Sequence, residues 1–158
     1  MNQSPHMLNA AHGYLRASQV LWAQSNLSAV SNVNAAIGIE ILLKSFIAEP
    51  VENERIDTYG ENYLVRKRFH KLTDLSNQID PDIYKKLRLD RYEKWFEMFD
   101  NLFIEARYPY EAGAKNSYSE VPIDIGVELF SIIMQWYKDT DSKDIWIRAY
   151  PDVPGGRL

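Results

Sequence analysis

The sequence predicts an all-α fold, an antiparallel up-and-down bundle of four to five main helices with a short extended C-terminal tail. Apolar residues recur at alternating steps of three and four along several long segments. Prolines and capping residues stand where these segments begin and end. The 158 residues, 46% of them apolar, suffice for one domain with a real core. We expect that core within residues 5–138, followed by a tail at 139–158.

The first helix is predicted to begin at Ser4-Pro5, where serine suits the N-cap and proline the first helical position. Asn26 and Ser28 mark the turn that follows it. The buried stripe of this helix is predicted to contain Leu8, Ala11, Leu15, Ser18 and Trp22.

The second helix, predicted from Ser28 to Ala48, is the most apolar and is expected to be central, because its apolar residues occupy more than one face. Gly38 costs a helix about 1 kcal/mol relative to alanine, which a close approach by another helix would explain. Pro50 ends the helix. Residues 49–68 lack a sustained period and are predicted to form a long surface loop.

A short helix is predicted from His70 to Ile79. Asp80-Pro81 begins a further helical pattern that continues to Ala106, a second long loop covers residues 107–119, and the last long helix is predicted from Val121 to Lys138. The buried residues of the last two helices are predicted to be Tyr92, Trp95, Phe99, Leu102 and Ala106, then Ile125, Leu129, Ile132 and Trp136.

Composition excludes several chemistries. The chain has no cysteine, so thiolate catalysis, disulfides and Cys-based zinc sites are excluded. It contains no glycine-rich phosphate loop, no HExxH motif and no GxSxG motif, and we expect no metal and no cofactor. No secretory signal or membrane-spanning run is visible, which predicts a cytoplasmic protein without membrane contact.

Three fragments together resemble the HEPN family of small helical domains. They are AAIGIEILLKSFIAE at 35–49, HKLTDL at 70–75 and ARYPYE at 106–111. The first has a glutamate and a lysine within an apolar helix, the second a histidine before a short helix, and the third an Arg-Tyr-Pro step before the last helix. The resemblance extends over roughly residues 5–138, and it is the order and spacing of all three fragments that carries it.

The resemblance implies a helical bundle that often dimerises, with its site near the start of the final helix. Many members are metal-independent ribonucleases, often toxins or defence proteins, and their signature is an arginine separated from a histidine by four to six residues. Arg107 matches the arginine. The histidine positions hold Ala112, Gly113 and Ala114 instead. Members without the histidine are thought to bind nucleotide or RNA, or to act as scaffolds, so the resemblance implies binding more strongly than cleavage.

Arg107, Tyr108 and Tyr110 are candidate ligand-binding residues. A guanidinium group suits a phosphate or carboxylate, and neighbouring tyrosines could stack on a base. The alternative is that Arg107 interacts with the negative C-terminal end of its helix dipole, while the two tyrosines pack against the rest of the protein.

Glu40 and Lys44 are spaced i, i+4 in the order that favours an ion pair. Because their neighbours are apolar, we expect a structural pair, either Glu40–Lys44 or Glu40–Arg107; the alternative is that they face a ligand. His70 would have to face Arg107 to act as a general base, and a capping or packing role is the alternative. Catalytic candidates are thus Arg107, Glu40 and His70, with Lys44 a candidate for ligand binding.

Residues 66–94 carry nine basic and five acidic residues, a positive segment in a chain whose net charge is −4. Such a segment could contact phosphates, with Arg66, Lys67 and Arg68 as ligand-binding candidates, or it could be an ordinary solvated surface. Its basic residues are Arg66, Lys67, Arg68, Lys71, Lys85, Lys86, Arg88, Arg91 and Lys94.

Two functions are consistent with these residues. One is a homodimeric domain that binds nucleotide or RNA phosphate in a toxin–antitoxin, defence or stress system. The other is a non-catalytic interaction module that pairs with itself or with a cognate protein partner. A third alternative is a helical domain unrelated to the HEPN family.

Overall fold

The computed structural model describes residues 5–51, 62–65, 69–114 and 117–158. They are mostly helical, which confirms the predicted all-α class. No helix in these ranges is long and apolar enough to cross a membrane. The elements are α1 (Pro5–Trp22), α2 (Ser28–Lys44), β1 (Glu49–Val51), β2 (Asn62–Leu64), α3 (Leu72–Ser76), α4 (Pro81–Lys86), a 3-10 helix (Leu89–Tyr92), α5 (Glu93–Phe99), α6 (Leu102–Arg107), α7 (Val121–Asp139) and α8 (Ile145–Ala149).

Helices α1 and α2 form a helical hairpin joined by a short turn. Its turn contains Asn26 in the left-handed conformation, with φ 62°, a region that asparagine tolerates better than most residues. Beyond the turn, the hydroxyl of Ser31 donates a 2.7 Å hydrogen bond to the carbonyl oxygen of Ser18. The predicted stripe of α1 is buried, apart from the half-buried Trp22.

The closest helix packing is centred on Leu15 of α1. A Cβ atom added at Gly38 of α2 would lie 2.8 Å from Leu15 Cγ, and one added at Gly126 of α7 would lie 2.5 Å from Leu15 Cδ2. Both glycines are therefore required to leave room for one leucine. The predicted close approach at Gly38 is confirmed.

Helix α2 is central, as predicted, and packs against α1, α3, α6 and α7. It ends at Lys44, four residues before the predicted end at Ala48. The hydroxyl of Ser45 donates a 2.7 Å hydrogen bond to the carbonyl oxygen of Leu42. Serine competes in this way with the backbone bonds of a helix, and the chain continues through turns instead.

The predicted long helix between Asp80 and Ala106 is interrupted, and that prediction was wrong. Arg88 has φ 54°, so the helical ladder breaks between α4 and the 3-10 helix. A second break, at Asp100 and Asn101, separates α5 from α6. The apolar spacing nevertheless identified the buried side chains, because the short helices keep one face towards the core: Tyr92, Phe99, Leu102 and Ala106 are buried and Trp95 is half-buried.

Tyr92 connects this broken segment to α7. Its hydroxyl donates a 2.6 Å hydrogen bond to the carboxylate of Glu128. Burial raises the pKa of Tyr92 well above the usual tyrosine value, and the bond to the negative Glu128 raises this pKa further. Tyr92 therefore remains protonated and holds α7 against the 3-10 helix.

The C-terminal tail is not simply extended, as was predicted, because it contains helix α8 and several turns. Asp144 caps α8 by accepting a 3.0 Å hydrogen bond from the backbone N–H of Ile147. The ring of the buried His12 packs among Phe130, Trp146 and Tyr150. The local pattern of the tail did not show this burial, because its partner lies more than a hundred residues away.

Residues 49–68 are not simply a loop. Strands β1 and β2 pair antiparallel, with Glu49 opposite Leu64, while residues 52–61 and 66–68 lie outside the described ranges. The short helix predicted from His70 to Ile79 is shorter still, since α3 covers only Leu72–Ser76. The loop predicted at 107–119 is confirmed where it is described, except that Arg107 is the last residue of α6.

Candidate functional site

One polar surface lies where α6 ends. Arg107 is exposed, and its guanidinium carbon lies 4.3 Å from the ring centroid of Tyr108 and 5.2 Å from that of Phe103. The guanidinium group also donates a hydrogen bond to the hydroxyl of Tyr108. Tyr110 is 80% exposed, and its ring centroid is 6.0 Å from that of Tyr108. We call Arg107, Tyr108 and Tyr110 the arginine–tyrosine surface.

Backbone geometry explains why this surface stands out from the helix. Pro109 disfavours a helical backbone at the residue before it, Tyr108. Tyr108 has φ −123° and ψ 67°, outside the helical region. The backbone N–H of Glu111 then donates a 3.0 Å bond to the carbonyl oxygen of Tyr108, and that of Ala114 a 3.0 Å bond to Glu111. Tyr110 lies within these turns, and its side chain is in solvent.

Chemically, the arginine–tyrosine surface combines a permanent positive charge with exposed aromatic rings. An arginine over a tyrosine ring is worth about 0.5–1 kcal/mol at an exposed site, which helps to order the guanidinium group. A planar base can stack on an aromatic face while a guanidinium group contacts its phosphate. The alternative role in packing fits Phe103 and Tyr108, which are half-buried, but not Tyr110.

A second polar cluster lies near the end of α2. The ammonium group of Lys44 donates to Oε1 of Glu40, and the two side chains are only 17% and 16% exposed. Of the two predicted structural pairs, Glu40–Lys44 is the one that forms. The pair is half-buried because the surrounding α2 residues are apolar, and each charge is neutralised by the other.

His70 joins this pair from the segment that precedes α3. Its Nδ1 lies 3.2 Å from the same Oε1 of Glu40, and 70% of its side chain is exposed. The sequence hypothesis required His70 to face Arg107, whereas the contact found for His70 is with Glu40. Together, Glu40, Lys44 and His70 form what we call the α2 polar cluster.

Asp100 holds the start of α3, two residues beyond His70. Its Oδ1 accepts a 2.9 Å hydrogen bond from the backbone N–H of Thr73, and its Oδ2 accepts a 2.6 Å bond from the Thr73 hydroxyl. A carboxylate at a helix start satisfies donors that lack partners within the helix. Asp100 thereby fixes the segment from which His70 extends.

The two polar regions remain distinct in their contacts. Within the described ranges, Arg107 contacts Phe103 and Tyr108 and forms no ion pair with Glu40, so the Glu40–Arg107 alternative was wrong. The two regions are nevertheless connected through α2, because Glu40 and Lys44 lie on α2 itself and α6, which ends at Arg107, packs against it.

The basic segment is only partly described, because Arg66, Lys67 and Arg68 lie outside the described residues. Arg91 lies 3.8 Å from Glu128, an exposed pair of little energetic weight. The other basic residues are all solvent-exposed, as both alternatives for this segment require: Lys71, Lys85, Lys86, Arg88 and Lys94.

Two further observations bear on chemistry. Ala112, Gly113 and Ala114 occupy the turn where the HEPN histidine would stand, and Gly113 has φ 90°, which favours glycine. No group of three or more His, Asp or Glu side chains that could hold a metal ion occurs in the part of the chain that the structure describes.

Sequence reasoning missed two polar residues. Nothing in the spacing of Asp100 indicated a bond to Thr73, 27 residues earlier. His12 was likewise assigned no role, yet its Nε2 lies 2.8 Å from the carbonyl oxygen of Gly156. A histidine on the predicted buried side of α1 was the available signal, since a buried imidazole needs a partner.

The described residues define a mostly helical protein with an exposed arginine–tyrosine surface and a half-buried α2 polar cluster. No protein-family model matches the chain, and no significant similarity to a curated protein or a solved structure is found. The function is therefore inferred from the residues themselves.

Proposed function

We propose that this chain is a HEPN-like domain that binds RNA or a nucleotide through the arginine–tyrosine surface. The observation that carries the proposal is the 80% exposure of Tyr110 beside a guanidinium group ordered over Tyr108. Exposing a large aromatic ring to water has no stabilising effect on the folded chain. Stacking with a base would bury that ring, and base–aromatic stacking contributes about 1–3 kcal/mol.

Charge supports a phosphate-containing ligand rather than a neutral one. Arg107 is permanently ionised and is not neutralised by Glu40, whose oxygen is shared by Lys44 and His70. A phosphate could therefore accept hydrogen bonds from the remaining guanidinium donors. The sequence candidates Arg66, Lys67 and Arg68, which lie outside the described residues, and the exposed Lys71 are further basic residues that could contact a phosphate-containing ligand.

The HEPN-like assignment brings further expectations. The helices would follow an up-and-down antiparallel order, the domain would form a homodimer in the cytoplasm, and it would belong to a toxin–antitoxin, defence or stress system. Neither a metal nor a cofactor is needed for binding. The mostly helical architecture and the helix end at Arg107 support this assignment.

A binding titration tests the proposal. Fluorescently labelled single-stranded RNA of mixed sequence, and separately ATP and GTP, would be titrated with wild type, Arg107→Ala and Tyr110→Ala. We expect each substitution to weaken RNA binding by about tenfold, the effect of roughly 1.4 kcal/mol, with a smaller salt dependence in Arg107→Ala.

Matched controls are available on α1, where Tyr14 is 40% exposed and Arg16 is also exposed. Tyr14→Ala and Arg16→Ala should leave the affinity unchanged. If all four variants bind RNA as wild type does, or if wild type binds neither RNA nor nucleotide, the proposed site is wrong.

A non-catalytic interaction module is the alternative, and the apolar surface beside Arg107 favours it. Ile104 is 60% exposed and, being three residues before Arg107, lies on the same side of α6. Met98 of α5 is 58% exposed. Sedimentation of wild type and Ile104→Lys over a range of concentrations tests this function, because an α6 interface predicts a dimer that the lysine disrupts.

A further inference from the structure

A cleft lined by basic residues lies where α7 ends and α8 begins. Its volume is about 520 Å³, within the range of sites that hold small molecules. It shares no residue with the arginine–tyrosine surface or with the α2 polar cluster. We call it the basic cleft, and its lining residues are Lys138, Asp141, Ser142, Lys143, Ile147 and Arg148.

The charges of the basic cleft are unbalanced. Lys138, Lys143 and Arg148 are positive and Asp141 is negative, which leaves a surplus of two positive charges. In the ranges that the structure describes, none of the three basic side chains forms an ion pair. A concave surface with such a surplus attracts anions, although the whole chain has a net charge of −4.

The carbonyl end of α7 is already satisfied by the chain. A helix C-terminus carries a partial negative charge, which would oppose an anion. Here the backbone N–H of Asp141 donates a 3.2 Å hydrogen bond to the carbonyl oxygen of Lys138. The N–H of Ser142 donates a 3.1 Å bond to the carbonyl oxygen of Tyr137, which also accepts a 3.2 Å bond from the Thr140 hydroxyl. These bonds engage the last carbonyl groups of α7 and leave the basic side chains to determine the charge of the cleft.

The basic cleft also offers hydrogen-bond donors. The ammonium group of Lys138 is held by a 2.7 Å bond to the carbonyl oxygen of Tyr150, which leaves two of its three donors for a ligand. The hydroxyl oxygen of Ser142 accepts a 3.4 Å bond from the N–H of Asp144, so its own proton can be donated. Arg148 is exposed and adds the planar fork of a guanidinium group.

We propose that the basic cleft binds a small organic molecule that carries a phosphate monoester. Such a group has a charge of about −1.5 to −2 at pH 7, close to the surplus of the cleft, whereas a carboxylate has only one charge. Its oxygens suit a guanidinium fork and an ammonium group together. The volume of about 520 Å³ exceeds what a phosphate group alone needs, so the polar lining can also contact hydroxyl groups of the organic part. This binding is independent of the proposed RNA binding.

A titration followed by NMR tests this site. Amide signals of the ¹⁵N-labelled protein would be recorded with inorganic phosphate, glycerol 3-phosphate and a short phosphoserine peptide, each compared with NaCl at equal ionic strength. The proteins are wild type, Arg148→Gln, Asp141→Asn, Arg107→Ala and, as a matched control, Arg16→Gln at an exposed position of α1. Asp141 has φ 55°, which asparagine tolerates, so Asp141→Asn removes the charge without straining the turn.

We expect glycerol 3-phosphate to shift the amide signals of Ser142 and Ile147 and to bind more tightly than inorganic phosphate. Arg148→Gln should weaken this binding by about tenfold, because it removes a charged donor. Asp141→Asn should strengthen it by about threefold, because it removes a negative charge beside the anion. Arg16→Gln should bind as wild type does.

Four results would overturn the inference. Equal shifts in NaCl alone would show screening of charge rather than binding. Equal affinity for inorganic phosphate, or tighter binding of the phosphoserine peptide, would show that the cleft does not select a small organic phosphate. Loss of binding in Arg107→Ala instead of Arg148→Gln would assign the phosphate to the arginine–tyrosine surface. Absence of any binding at the basic cleft refutes this site and leaves the proposed RNA binding to its own test.

Discussion

Gly38 and Glu40 lie only two residues apart on α2, but they face surroundings of very different chemistry. Gly38 faces Leu15 so closely that a Cβ atom would lie 2.8 Å from Leu15 Cγ. Glu40, about 200° further round the helix, shares its carboxylate oxygen with Lys44 and His70. An apolar sequence around Glu40 therefore does not mean that every side of α2 is closed to solvent. The most apolar helix can hold a polar cluster because the side chains of Glu40 and Lys44 keep partial access to solvent, 16% and 17% exposed.

The largest effect is expected from Leu15→Ala on the closely packed side. Leu15 is fully buried and fills the space between Gly38 and Gly126. Its truncation should lower the free energy of unfolding by about 2–5 kcal/mol, through lost burial and a remaining cavity. Urea unfolding followed by circular dichroism measures this loss. Val20→Ala, at a 53% exposed position of the same helix, should change it by less than about 0.5 kcal/mol.

Two glycine substitutions separate close packing from helix propensity. Gly13→Ala on α1, where an added Cβ meets nothing within 4 Å, should stabilise the protein by up to about 1 kcal/mol. Gly38→Ala has the same propensity gain but should destabilise it by about 1–3 kcal/mol, because Leu15 must shift. The measurement is urea unfolding of both variants.

If Gly38→Ala stabilises the protein as much as Gly13→Ala, the helices are not in close contact there. In the double variant Leu15→Ala/Gly38→Ala, the new methyl group enters the vacated space. The loss should then be smaller than the sum of the two single losses.

A smaller effect is expected on the polar side, from Glu40→Gln. The substitution keeps the shape but leaves the Lys44 charge, 17% exposed, without an ionised partner. We expect a loss of about 1–2 kcal/mol, between the values for exposed and buried pairs, and a smaller loss in Glu40→Gln/Lys44→Met. Urea unfolding of these variants and of Glu97→Gln, an exposed position on α5, provides the comparison. Equal stability of wild type and Glu40→Gln would show that the pair has no structural weight.

The smallest effect on stability is expected from Tyr110→Ala at the arginine–tyrosine surface. The ring is 80% exposed, so its loss should change the free energy of unfolding by less than about 0.5 kcal/mol. Thermal unfolding measures this, and Tyr92→Ala, which removes a buried ring, should be far more costly. A loss above about 1 kcal/mol in Tyr110→Ala would contradict a binding role and indicate packing.

Much of the fold was predictable from the sequence. The helical spacing identified buried residues in α1 and α7, although the predicted Ile132 is only half-buried. Gly38 indicated a close contact before its partner was known. The breaks at Arg88 and Asp100 were not predicted, because apolar spacing continues across a short interruption. Helix α8 was also missed, since its stability comes from rings packed around His12.

The candidate site was predicted only in part. The Glu40–Lys44 pair follows from an i, i+4 spacing that any helix brings together. The joining of His70 to Glu40 spans 30 residues, and the bond from Thr73 to Asp100 spans 27, so neither leaves a local signal. The exposure of Tyr110 depends on turns after Pro109 that could equally have folded the ring inward.

By itself, the sequence determined the helical class, the buried faces of α1 and α7, and the i, i+4 spacing that pairs Glu40 with Lys44, because these depend on residues a few positions apart in a helix. Only the tertiary structure decided that Arg107 contacts Tyr108 and not Glu40, that His70 contacts Glu40 and that His12 contacts the C-terminal segment. These are contacts between distant segments, and they form only when the whole core has packed.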